Sequence, residues 1–375
     1  MTKQKESQLF KDLKPERKRH NIPKKIVDEA IKEVDRISLI PFKHKQYENI
    51  FWGDNPNNQN PLTIDLPHIE IDELTPVPED FINSAVFYDI KKLKEQGIKI
   101  IKDSCVITHQ GEIMIVYITA KTDRAVKVAT ERVANLAEDF EKYYPVKADT
   151  FYTPFKLGAK GKKSIAEAKA FKAKHSNEAR YFGKNWMDGM IKYFIGLKNK
   201  AGGTMVAYQP RDPEAEHDET FLHDLIYTYM ALYELEKRYC PDVAKYRLKL
   251  ATDAGFPGAF PGVPLNRHCA TGVGASLDFS SAIHNDSGIK GLSETIIWNT
   301  PKQNEKQYFV SPTIKMCFDL TDSQAIIFQP PKIPHSTVQT GDHNGIGLVN
   351  ITKKNLVATT DINKHYYELY KKSFK

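Results

Sequence analysis

The chain has 375 residues, 41% of them hydrophobic and 11% aromatic, enough apolar content for a large packed core and too much for an intrinsically disordered protein. Its net charge of +7 suits an anionic partner. Cys105, Cys240, Cys269 and Cys317 lie far apart with no C-x-x-C pair, which argues against a zinc ribbon or a disulfide scaffold and for a reducing compartment. The opening MTKQKESQLFKDLK lacks the apolar core of a signal peptide, and no run reaches the roughly 18 apolar residues of a membrane span. A soluble protein, nuclear or otherwise intracellular and not secreted, is expected, with no membrane partner.

In chain order, residues 14–20 (KPERKRH) form a basic arm, suited to DNA contact or to a solvated terminus. The helical spacing of Ile26, Val27, Ala30, Ile31 and Val34 after Pro23 predicts a helix over 26–36. Residues 50–67 read as a polar loop rich in Asn and Pro. Helices are expected over 81–93 and 127–144, with a strand pair over 98–108 and 112–119 joined at His109, Gln110 and Gly111.

The stretch 156–180 is the most basic, with Lys156, Lys160, Lys162, Lys163, Lys169, Lys172, Lys174 and Arg180 against Glu167 and Glu178. Phe155, Phe171, Tyr181 and Phe182 lie among or beside them, the mixture that neutralises a phosphate backbone and stacks bases. A mobile Lys-rich loop is the plainer alternative. Within it GAKGKKS, 158–164, departs from a P-loop because its glycines stand three apart and no apolar strand precedes them.

Residues 218–239 read as an amphipathic helix. His217 and His223, six apart, fall on opposed helical faces and cannot share an ion. The Gly/Pro loop 254–264 leads to Arg267 and His268, both candidates for co-substrate or phosphate contacts.

The organising stretch is 271–286, TGVGASLDFSSAIHND, read as two barrel strands. His284 and Asp286, two apart on extended chain, project from one face and can reach one metal. H-x-D alone also fits a turn with a buried histidine. Short strands rich in Ile, Val, Phe, Tyr or Thr follow at 292–299, 307–311, 315–320, 324–329 and 345–352, and a double-stranded β-helix, or jelly roll, is expected. The third ligand should come from a downstream strand that closes back, and His335 is the candidate. Two histidines and one carboxylate on one face of Fe(II) leave three positions for oxygen and a co-substrate.

The run GVGASLDFSSAIHND, the downstream Pro334–His335 pair and the closing IGLVNITKKNL of 346–356 resemble the catalytic core of the TET/JBP family of Fe(II) oxygenases. The resemblance covers about the last hundred residues. It implies an oxygenase that acts on the 5-methyl group of a pyrimidine in DNA, with 5-methylcytosine DNA as partner. It also implies catalytic and metal-binding roles for His284, Asp286 and His335, and a base flipped into the pocket. The family grips 2-oxoglutarate with an arginine at the start of the last barrel strand, and Gly345 stands at that place here. Either another base, such as Lys353, Lys354 or Arg267, holds the carboxylate, or the co-substrate differs. One branch of the family uses ascorbate and transfers a glyceryl group to the methyl carbon. Asp342 and His343 are further candidates to orient the co-substrate, though DHNG also fits a hairpin turn.

The expected architecture is α+β. Residues 1–180 form a helical and α+β region with DNA-contacting Lys156, Lys160, Lys162, Lys163, Lys174 and Arg180, and residues 181–375 form the oxygenase domain. Two other functions share these features: a 2-oxoglutarate-dependent hydroxylase of a protein side chain or small metabolite, and a DNA-binding jelly-roll module without catalysis.

Overall fold

The computed structural model describes residues 22–43, 46–47, 50, 62–63, 65–78, 93–143, 181–185, 196–199, 205–208, 218–253, 258–260, 262–281, 283–286, 293–299, 307–339 and 345–352. The helix expected over 81–93 and the basic stretch 156–180 lie outside these residues, apart from Leu93, which sits in a turn.

Helix α1, Lys24–Ser38, starts after Pro23 and buries Ile26, Val27, Ala30, Val34 and Ile37, the stripe that its spacing predicts. Strands β1 (Gln46–Tyr47), β2 (Leu62–Thr63), β3 (His68–Glu70), β4 (Lys99–Ile101), β5 (Cys105–His109) and β6 (Glu112–Thr119) follow. The β5–β6 hairpin turns at Gln110 and Gly111, both at positive φ, the backbone that lets two residues reverse a twisted strand pair.

The single helix expected over 127–144 is instead α2 (Arg124–Ala129) and α3 (Val133–Tyr143). Asp123 starts α2 by accepting from the Ala125 amide at 2.9 Å, and the Thr130 hydroxyl donates to the Val126 and Lys127 carbonyls at 3.0 and 3.1 Å. With these carbonyls served by a side chain, the chain is free to turn before α3.

Next come β7 (Tyr181–Asn185), β8 (Gly196–Asn199) and β9 (Met205–Tyr208), then α4 (Glu219–Tyr239) and α5 (Pro241–Asp253). Asp218 caps α4 by accepting from the Phe221 amide at 3.0 Å. Contrary to the one-faced pattern expected, α4 is buried nearly all round, because helices pack on one side of it and the large sheet on the other. Its tyrosines meet that burial by donating to carbonyls, Tyr227 to Val128 and Tyr229 to Gly274.

The remaining strands are β10 (Gly272–Ser281), β11 (Ser293–Asn299), β12 (Gln307–Ser311), β13 (Met316–Asp319), β14 (Asp322–Phe328), β15 (Ser336–Gln339) and β16 (Ile346–Ile351). Residues 271–286, expected as two strands, thus give one long strand and a short extended piece through His284. An eight-stranded sheet runs β3-β5-β6-β14-β11-β16-β10-β7, and a four-stranded sheet runs β15-β12-β13-β4. β3, β5 and β6 precede residue 180 and share the large sheet with strands that follow it.

The result is a mixed α+β structure in three layers: helices, large sheet, small sheet. Alternation along β14 sends Ala325 and Ile327 into the helical core, and Ile326 and Phe328 into the core between the sheets. Phe309, Met316 and Phe318 face them from the small sheet. Each such fully buried side chain contributes about 1.5–3 kcal/mol. No helix among the described residues is long and apolar enough to cross a membrane.

Candidate metal centre

The site begins where β10 ends. The Ser281 carbonyl accepts from the Ser336 hydroxyl at 2.6 Å, and the Ser281 hydroxyl accepts from the Thr337 amide at 2.9 Å. This staple aligns the chain beyond β10 with the start of β15. His284 and His335 then pair main chain to main chain, each amide donating to the other's carbonyl at 3.0 Å. Two residues on, the Asp286 amide donates to the Pro330 carbonyl at 3.2 Å.

The backbone therefore fixes all three side chains before any ion is considered. One ligand atom from each of His284, Asp286 and His335 lies within 4.8 Å of the others. Both histidines are buried, Asp286 is half-buried, and Asp286 Oδ2 lies 3.6 Å from His335 Nε2. Their imidazole centroids are 4.3 Å apart.

His335 Nδ1 sits 2.9 Å from the Ile333 carbonyl, an acceptor only, so we assign the proton to Nδ1. That leaves the Nε2 lone pair toward Asp286, as a metal ligand requires. Phe309 stacks on the His335 ring at 5.3 Å and Phe328 meets it edge-on at 4.9 Å; these aromatics lock the ring and keep water from its faces. Two imidazoles and one carboxylate suit a divalent transition metal. With three protein donors among the described residues, coordination positions stay open, unlike a closed four-ligand structural site.

Arg267 stands elsewhere. Its guanidinium pairs with Asp35 and lies 3.7 Å from Glu234, on the helical side of the large sheet and away from the metal group; the co-substrate role expected for it gives way to a structural pairing. His268 is also on that side, its Nε2 3.0 Å from Asn350 Oδ1 and its ring against Phe260 and Tyr229. Burial pushes its pKa down from 6.5 to about 4, so it is a neutral core histidine. His223 lies 3.1 Å from Asp224 and 3.6 Å from Glu33, also apart from the metal group.

Gly345 is buried and immediately precedes β16. Lys353, Lys354, Asp342, His343, His217, Lys156, Lys160, Lys162, Lys163, Lys174 and Arg180 lie outside the described residues. Sequence reasoning missed the Ser281 staple and the Phe309 and Phe328 clamp. The first has a signal in hindsight: serines stand three residues before His284 and directly after His335.

No family model matches the chain, and no curated protein matches it by sequence. Among solved structures, NgTET1 in complex with 5mC DNA aligns with a TM-score of 0.42 at 10% identity, over 76% of this chain and 96% of that one. At that distance the likeness carries no inference about this chain.

Proposed function

We propose that the protein is an Fe(II)-dependent oxygenase that modifies 5-methylcytosine in DNA, built on a double-stranded β-helix. The observation that carries the metal assignment is the convergence of His284, Asp286 and His335 within 4.8 Å. The strand order supports the architecture. In the large sheet β14, β11, β16 and β10 are neighbours, and facing them the His284 segment, β15, β12 and β13 follow one another, the alternation of two sheets that a jelly roll requires.

His284, Asp286 and His335 would hold the ion, which when bound supplies oxidising power that no side chain has toward a methyl C–H bond. The chain's own work is positional. The Ile333 carbonyl favours the tautomer with its proton on Nδ1 and so aims the free Nε2 of His335, and Phe309 and Phe328 pack against that ring. Lys156, Lys160, Lys162, Lys163, Lys174 and Arg180 would neutralise the DNA backbone while a base is flipped toward the ion. Lys353, Asp342 and His343 are proposed to orient the co-substrate, either 2-oxoglutarate, giving hydroxylation, or ascorbate, giving glyceryl transfer. The absence of a side chain at Gly345 favours ascorbate.

The test is anaerobic reconstitution with Fe(II), then air with 5-methylcytosine DNA and either co-substrate alone, with nucleosides analysed by mass spectrometry. A modified cytosine is expected in one tube and at least about 100-fold less from His284→Ala or Asp286→Ala, since loss of a ligand should exceed the 10–100-fold cost of losing an outer partner. DNA retention without product, unaltered by His284→Ala, would instead identify a binding module.

A further inference from the structure

Resting on that reading of the metal group, we infer that Glu112 is a positioning residue for it. Glu112 acts at a distance, by holding the turn over residues 329–333, whose carbonyls orient both Asp286 and His335.

The turn itself shows why it needs an outside hold. Residues 329–335 read QPPKIPH. Pro330, Pro331 and Pro334 have no N–H to donate, and the Lys332 and Ile333 amides both donate back to the Gln329 carbonyl at 3.0 Å. The main-chain donors of 330–334 are thus spent inside the turn and do not tie it to the sheets. Its carbonyls serve the metal group instead. Pro330 accepts from the Asp286 amide at 3.2 Å, and the Ile333 carbonyl lies 2.9 Å from His335 Nδ1. Three prolines stiffen the segment, so a displacement of the turn reaches both ligands together.

Side chains supply the hold, and they converge on one carboxylate oxygen. Gln329, 1% exposed, donates from Nε2 to Glu112 Oε1 at 2.8 Å and to the Ile113 carbonyl at 3.0 Å. Lys332 Nζ donates to the same Glu112 oxygen at 2.6 Å. Both partners of the Gln329 nitrogen are acceptors, which assigns the orientation of its amide. A carboxylate suits this place because one oxygen takes an ammonium and an amide together, and its charge strengthens both bonds.

Glu112 is fixed in turn from the other side. It opens β6 opposite His109, directly after the Gln110–Gly111 turn. The amides of Gln110 and Gly111 donate to the carboxylate of Glu70 on β3. The register that pairs Ile115 with Phe328 lays the start of β6 alongside the 329–333 turn. A chain of contacts therefore runs from β3 through the β5–β6 hairpin to the metal group, joining strands before residue 180 to ligands more than a hundred residues beyond it.

The experiment measures the affinity and visible absorption spectrum of Co(II) bound to the full chain under nitrogen, with the melting temperature of the metal-free protein alongside. Wild type should bind Co(II) and His284→Ala should not. Glu112→Ala should raise the dissociation constant about 3- to 10-fold, less than the 10- to 100-fold of a direct outer partner because it acts one contact further out. The d–d bands of the bound Co(II) should shift with it. Glu112→Gln keeps an acceptor without the charge, so it should recover most of the affinity and the spectrum; that recovery separates positioning from a simple loss of negative field. Lys332→Glu, at an exposed position, sets two carboxylates against each other and should weaken Co(II) about 3-fold, although it adds negative charge near a cation. A role in the fold alone predicts a lower melting temperature for Glu112→Ala with the wild-type dissociation constant and spectrum, and that result would overturn the inference while leaving the metal reading intact. If Glu112→Ala does not fold, wild-type affinity and spectrum in Lys332→Glu overturn it equally. Equal Co(II) binding by wild type and His284→Ala would sink the metal reading and this inference with it.

Discussion

His335 can offer Nε2 to an ion only while Nδ1 keeps its proton, and a main-chain carbonyl enforces that state more reliably than a side chain, which could rotate away. His268 shows the opposite use of an imidazole. It is 1% exposed among Phe260, Tyr229 and Asn350, and charging it there would cost more than in the unfolded chain. The unfolded chain takes up a proton near pH 6.5 and the folded chain only near 4, so the folded state binds fewer protons in between. Stability from this ring is complete above about pH 6.5 and is lost as pH falls toward 4. Urea denaturation at pH 7 and 4.5 should show about 2–3 kcal/mol of acid loss that His268→Gln lacks. Arg267 yields a simpler expectation: Arg267→Ala should leave co-substrate affinity unchanged in calorimetry and lower stability by up to about 1 kcal/mol, since its ion pair with Asp35 is partly exposed.

At the level of elements, Asp123 is a junction. Its carboxylate accepts from the Ala125 amide that opens α2, from Arg238 Nε at 2.6 Å and from the Tyr239 hydroxyl at 2.7 Å at the end of α4. Asp123→Ala would strand a largely buried guanidinium as well as remove a cap. A loss of about 3–5 kcal/mol is expected by urea denaturation. That junction was invisible in the sequence because Arg238 and Tyr239 stand more than a hundred residues from Asp123. The strands over 292–352 were legible, since each alternates or runs apolar between Gly, Pro, Asn or Asp breaks. So were His284 and Asp286, two apart, and His335 following Pro334. The all-round burial of α4 was not, because its tyrosines and Glu236 read as polar positions until their carbonyl and Arg247 partners are known. Nor was the place of Arg267, which is close in sequence to β10 but turned toward α1.

Across the whole molecule, the metal group joins parts that the chain keeps far apart. His284 and Asp286 follow β10 and His335 immediately precedes β15, about fifty residues later; the Ser281 staple, the His284–His335 pairing and the Asp286–Pro330 bond fasten these segments together there. An ion bound by all three side chains adds a cross-link present only in the folded state, so it must stabilise that state by mass action. At a free Fe(II) or Ni(II) concentration 100 times the dissociation constant the gain is about 2.7 kcal/mol, which for a chain this long corresponds to a rise of roughly 3 °C in the melting temperature. Differential scanning calorimetry should show that rise in the wild-type chain and its reversal by a chelator. His284→Ala should show neither. A rise of equal size in His284→Ala would mean that the ion binds elsewhere, and the three side chains would then be a polar patch of the fold and not its reactive centre.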